Sequence, residues 1–208
     1  MTDENIKSLL MESVDLDVLS LQQTGATCRD FELPRELREI YKFCNGAVMY
    51  EGALLLRPKT ALLNVACLEE WNAQKTWKER YTFIDLSNIV FFAENTIGEQ
   101  WGVDNGKVVF FEPETGELAE FADSVDEWAA LIRSDFNRYT RWNLIHEWQE
   151  NNGPLPLGAR LAPIRALTLG GTCDLANLTV VEDVACMRYR GALADRTKNV
   201  NADDANGT

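Results

Sequence analysis

Histidine is almost absent from this chain: His146 is the only one. A hydrolytic triad or a histidine-rich metal site has little to draw on. His146 stands between Ile145 and Glu147 on a predicted helix, near Trp142 and Trp148, and reads as an exposed or half-buried helical residue. The five cysteines (Cys28, Cys44, Cys67, Cys173, Cys186) are odd in number and nowhere spaced as C-x-x-C. That spacing argues against a zinc or disulfide framework and predicts free, mostly buried thiols in a reducing compartment. No apolar run approaches the roughly 20 residues of a membrane span. The opening Met1-Thr2-Asp3-Glu4-Asn5 lacks the basic and apolar regions of a secretion signal, so a cytoplasmic protein is expected. Gly170-Gly171 has neither a following Lys-Ser/Thr nor G-x-G-x-x-G spacing, and reads as a turn rather than a phosphate loop. No catalytic residue, metal ligand or cofactor is therefore assigned, and the chain is not expected to be an enzyme.

Positive charge is also scarce, with 20 Lys and Arg against 33 Asp and Glu, a net charge of −13. Such a chain is repelled by nucleic acid and by anionic membranes. The acids are concentrated: ten carboxylates lie between Glu94 and Glu127 against Lys107 alone. Asp123, Asp126 and Glu127 are accounted for by helix-dipole complementation at a helix start. The field as a whole would steer and select a basic protein partner.

That same stretch is the most legible in the chain. Ile89–Ala93 is an apolar, aromatic run suited to a buried strand. Glu99–Val103 and Lys107–Phe111 flank Asp104-Asn105-Gly106, a hairpin signal because Asn and Gly tolerate positive φ. Pro113-Glu114-Thr115-Gly116 supplies the next turn and Glu117–Phe121 the fourth strand. Four such strands make an antiparallel meander. Ser124-Val125-Asp126-Glu127 fits a capping box, and Trp128, Ile132, Phe136 and Tyr139 recur at helical spacing behind it.

Elsewhere Ile6, Leu9, Leu10, Met11 and Val14 predict a short amphipathic helix, while Asp15–Leu21 is open between strand and helix. Pro34 to Cys44 reads as a helix closed by Asn45-Gly46. Gly52–Arg57 reads as a strand and Thr60–Lys78 as a helix. Leu161–Leu169 and Leu178–Val181 suggest two extended pieces, and Glu182–Leu193 a further helix. The expected organisation is an α+β domain over 1–153, a C-terminal extension over 154–197 packed on it, and a disordered polar tail over 198–208.

Leu33-Pro34-x-x-Leu37-x-x-Ile40-Tyr41-x-x-x-Asn45-Gly46 resembles the opening helix signature of the SUKH superfamily. Phe92-Ala93-x-Asn95-x-x-Gly98-x-x-Trp101-x-x-Asp104 resembles that family's central hairpin, followed by the strand at 108–111 and the helix entry at Ser124, Glu127 and Trp128. The elements keep the family's order over roughly residues 30 to 135. The resemblance implies a curved, mostly antiparallel sheet, the central meander included, with helices packed on one side. It also implies a bacterial immunity protein that binds the toxic domain of a polymorphic toxin made beside it and blocks the toxin's active site. The alternative is a cytoplasmic regulatory or scaffold protein with an endogenous partner. The family offers no catalytic signature to carry over.

For the expected basic toxin domain, the contact residues read from the sequence are Glu94, Glu99, Trp101, Asp104, Glu112, Glu114 and Glu117. Trp101 is either a core aromatic or an interface anchor, since Trp is enriched at binding hot spots.

Overall fold

A computed structural model describes residues 3–16, 31–60, 62 and 64–206, the side chains of 199–206 excepted. Helix α1 (Glu4–Met11) buries Ile6 and Leu9 and leads into strand β1 (Ser13–Asp15). The rest of the ambiguous Asp15–Leu21 stretch beyond Leu16 lies outside the described residues, as does Cys28. The helix expected from Pro34 to Cys44 is split into a 3-10 turn at Arg35–Leu37 and a single helical turn, α2 (Ile40–Phe43). Leu37 and Ile40 face the core as the spacing requires, and Cys44 is already extended. Gly46 then takes φ +83°, where a Cβ would stand 2.8 Å from the Leu56 carbonyl oxygen, so the chain turns there into β2 (Ala47–Met49). Strand β3 (Leu54–Leu56) follows.

The helix expected over Thr60–Lys78 is the main error of the sequence reading. Among its described residues α3 (Leu68–Asn72) and the start of a 3-10 turn at Lys78–Arg80 are helical. Leu62 and Val65 instead bridge around Asn64, which sits at φ +64°, and the extended Cys67 caps α3 with Glu70 reaching back to its N–H. The apolar residues that suggested one helical face serve two different clusters: Leu62 and Val65 pack with Leu55, Trp71 and Trp77 with Phe91 and Phe111.

The meander is present as β4 (Val90–Asn95), β5 (Gln100–Asp104), β6 (Lys107–Glu112) and β7 (Glu117–Ala122). With β1 to β3 it forms one antiparallel sheet of seven strands in sequence order. Asn105 and Gly106 carry positive φ at the tight turn between β5 and β6. The fold class is therefore the expected one, and the sheet extends beyond the four strands legible in the sequence.

Three helices follow: α4 (Val125–Ser134), α5 (Phe136–Thr140) and α6 (Trp142–Asn152). Ser124 accepts the Glu127 N–H at 3.1 Å, while the Glu127 carboxylate takes the Asp123 N–H at 2.8 Å. Asp135 caps α5 and Arg141, left-handed at φ 62°, separates it from α6. The extension forms a hairpin of β8 (Ala159–Pro163) and β9 (Leu178–Glu182), then α7 (Asp183–Asn206). This helix continues through the polar stretch beyond Lys198 that composition marks as a tail.

Alternation along the strands assigns the two faces. Leu56, Ala93, Trp101, Phe110 and Ala119 are ladder partners in succession and face α1, α2 and α4, with Trp101 against Trp128. The next row, Leu55, Glu94, Gln100, Phe111 and Leu118, faces the opposite way. There Trp71, Trp77, Tyr81, Phe91 and Phe111 pack with Met187 and Ala194 of α7. The extension is thus the cover of the second face.

Candidate functional site

The second face carries two polar residues, Glu94 and Gln100, in the middle of an aromatic surface. Both are fully buried. A buried carboxylate requires paired, hydrogen-bonded surroundings. Arg57, following β3, and Arg160 on β8 both donate to Glu94 Oε1, and Gln100 Nε2 donates to Oε2 at 2.9 Å. Arg57 also donates to Asp183 Oδ2 at 2.6 Å and lies 3.4 Å from the centroid of the Trp71 ring. Trp71 in turn donates its indole N–H to Gln100 Oε1 at 3.1 Å. Burial opposes ionisation of Glu94, yet Arg160 and Arg57 hold its carboxyl below the usual carboxylate range. Burial likewise works against the Arg57 cation, and Asp183 and Glu94 more than restore it.

A second cluster lies beside the first. Arg190 of α7, 2% exposed, donates to the Ile97 carbonyl and stands 3.6 Å and 3.7 Å from the carboxylates of Glu112 and Glu114. Glu114 also accepts the N–H and hydroxyl of Thr168 at 2.6 Å and 2.8 Å. Every charged group here fastens the extension to the sheet. Burial pushes the nearby Cys186 thiol up, which keeps it protonated and a poor nucleophile at neutral pH. His146 lies on the outer surface, with Nδ1 2.8 Å from Glu51 and its ring stacked on Trp142 at 4.8 Å, and no nucleophile among these partners. Among the described residues no group of three His, Cys, Asp or Glu side chains is placed to hold a metal ion.

The residues selected from the sequence as partner contacts divide by depth. Glu94 and Trp101 have no exposed surface, and Glu99 and Glu114 are 6% and 3% exposed. Glu99 pairs with Arg141 at 3.1 Å. Trp101 is a core ring, 5.7 Å from Phe110, 5.9 Å from Phe121 and 6.2 Å from Trp128, which settles its two readings in favour of packing. Glu112 is half-buried and accepts the N–H groups of Glu114 and Thr115 in its own turn. Asp104 is half-buried and Glu117 exposed. The outward carboxylates on the β6–β7 side are Glu117 with Glu120 and Asp123, which share Lys107. Asp126 is engaged inside the fold, accepting the N–H groups of Asn5 and Ile6.

The partners of Glu94 were missed by sequence reading, although a signal existed. Arg57 closes an otherwise apolar strand, and a charge in such a position demands a counter-charge. The expectation of free thiols also needs correction: Cys44, Cys173 and Cys186 are free, but Cys67 is disulfide-bonded, with its partner outside the described residues.

A seven-stranded antiparallel sheet with α1, α2 and α4 on one face, and α3 together with the β8–β9 hairpin and α7, fastened through buried ion pairs, on the other, defines an α+β domain whose buried charges serve packing. Residues 27–130, half of the chain, match the model of the SMI1 / KNR4 family (SUKH-1), and the protein belongs to that family. The crystal structure of Atu4351 from Agrobacterium tumefaciens is similar in fold, with a TM-score of 0.53 at 12% identity over 92% of this chain and 81% of that one. No curated protein matches the sequence.

Proposed function

We propose that this protein is an immunity protein that neutralises a cognate toxin by direct, stoichiometric binding and occlusion of the toxin's active site, without chemistry of its own. Membership of the SMI1 / KNR4 (SUKH-1) family is the observation that carries this reading. The net charge of −13, the outward carboxylates Glu117, Glu120 and Asp123 and the half-buried Asp104 support a basic toxin surface as the partner. Such a field accelerates encounter, and apolar contacts then set the lifetime of the complex.

Co-expression with the toxin encoded beside the gene should restore growth, and toxicity that persists unchanged would end the proposal. Lysine at Asp104, Glu117 and Glu120 should slow association and flatten its salt dependence. A locus with no toxin reading frame nearby would favour the regulatory or scaffold role. No helix among the described residues is long and apolar enough to cross a membrane. The cytoplasm belongs to this proposal too, and the disulfide at Cys67 is the one observation that pulls toward an oxidising compartment.

A further inference from the structure

The aromatic cluster around Trp101 does not end in the core. Trp101 is covered by Phe110 and Phe121, and Phe121 meets Tyr139 of α5 edge-on at 5.3 Å. These outer three rings are only half-buried. Ala119 is the reason: it is exposed and lies opposite Phe110 in the ladder, where a larger residue would cover the ring. A groove of about 280 Å³ results between β7 and α5, floored by Phe110, Phe121 and Tyr139. Its strand is the outermost of the sheet, the position at which an extended segment can add.

The rim is electrically divided. On the strand side Glu120 lines the groove, exposed and in a surface pair with Lys107 that an incoming cation can exchange, and the exposed Glu117 begins the same strand two residues before Ala119. On the helix side Arg138, 5.6 Å over the Tyr139 ring, makes no ion pair among the described residues, and Arg141 is held by Glu99. Half-exposed aromatics ringed by charge, continuous with a rigid core, have the make-up of a binding hot spot. Carboxylates along β7 also oppose pairing of this edge with a second copy of itself.

We infer that the groove between β7 and α5 receives an extended segment of a protein partner, which sets one aliphatic or aromatic side chain on Phe110, Phe121 and Tyr139 and turns lysine or arginine toward Glu117 and Glu120. This rests on the partner-binding reading above and moves its anchor from Trp101 to the rings outside it. The probe is a phage-displayed library of random dodecapeptides, selected on the native protein. Enriched peptides should carry an apolar anchor flanked by basic residues, and the synthetic peptide should lose at least tenfold in affinity on Ala119→Arg, which fills the groove from an exposed position. Glu117→Lys, also at an exposed position, should weaken it severalfold and provides a second readout if Ala119→Arg does not fold. Failure to enrich any peptide, or binding equal on native and substituted protein, overturns the inference. Growth rescue by co-expression is scored separately, so immunity without the groove and the groove without immunity give different results.

Discussion

Replacing Glu94 by Gln tests the interior of this protein most directly. Glu94 has no exposed surface and accepts from Arg57, Arg160 and Gln100. The amide keeps the shape but withdraws the charge. Arg57 would retain Asp183 as a counter-charge, whereas Arg160 would be left with neutral acceptors alone, the amide oxygen and the Ala159 carbonyl. Removing one member of a buried pair costs about 3–5 kcal/mol. Because Arg57 keeps one counter-charge, the lower end applies, about 3 kcal/mol, or roughly a 6–12 °C fall in Tm for a chain of this size. Urea and thermal unfolding at pH 7 measure it, with Glu117→Gln at the exposed edge expected within about 0.5 kcal/mol of the native protein. The pH dependence carries a sign. The carboxyl of Glu94 titrates below its ordinary 4.5 in the folded state. Its contribution is therefore complete above that value and disappears as pH falls through the folded one. The native and Glu94→Gln stabilities should converge on acidification below 4.5. A loss under about 1 kcal/mol at pH 7, in the range of an ordinary neutral hydrogen bond, would refute the reasoning.

Two further outcomes are expected. The hydrogen bond to Glu51 raises the pKa of His146 above 6.5, so the stabilisation it brings is complete below that value and is lost as pH rises through the folded pKa. As the only histidine, it should give one imidazole NMR titration, which Glu51→Gln shifts downward; a midpoint at or below 6.5 in the native protein would contradict this. Thiol titration in denaturant should count three cysteines without reductant and five after reduction, and five at the outset would remove the disulfide at Cys67.

What could be read in the sequence was whatever local rules determine. The β4–β7 meander announces itself through Asn105-Gly106 and alternating apolar residues, and α4 through Ser124 and Glu127. The stretch from 60 to 78 failed because helical spacing of apolar residues is also produced by an irregular segment that feeds two clusters. Asn64 at positive φ, with Leu62 bridged to Val65, marks where the backbone departs from a helix. The acidic residues of the meander were misjudged for a related reason. A charge composition gives the field of a region, but depth depends on long-range partners, and Glu94 and Glu114 sink because Arg57, Arg160 and Arg190 arrive from elsewhere in the chain.

The boundary of the family match raises a physical question about the extension. Residues 27–130 contain Arg57, Glu94 and Gln100 but neither Arg160, Asp183 nor Arg190. Those residues alone would leave Trp71, Trp77, Phe91 and Phe111 without Met187 and Ala194 over them. A purely apolar cover would serve the aromatic area at least as well as ion pairs do, since buried pairs rarely exceed hydrophobic residues of equal volume in stability. What directed charges add is position: Arg160 can meet Glu94, and Asp183 meet Arg57, in only one placement of β8 and of the start of α7. We therefore take residues 154–197 as part of the same cooperative unit as the sheet, held in register by these pairs. Hydrogen exchange on the Glu94→Gln protein distinguishes the cases. If the pairs set register, amides of β8 and the first turns of α7 lose protection together with β4. If the extension docks on apolar contact alone, β8 and α7 keep their native protection while only global stability falls.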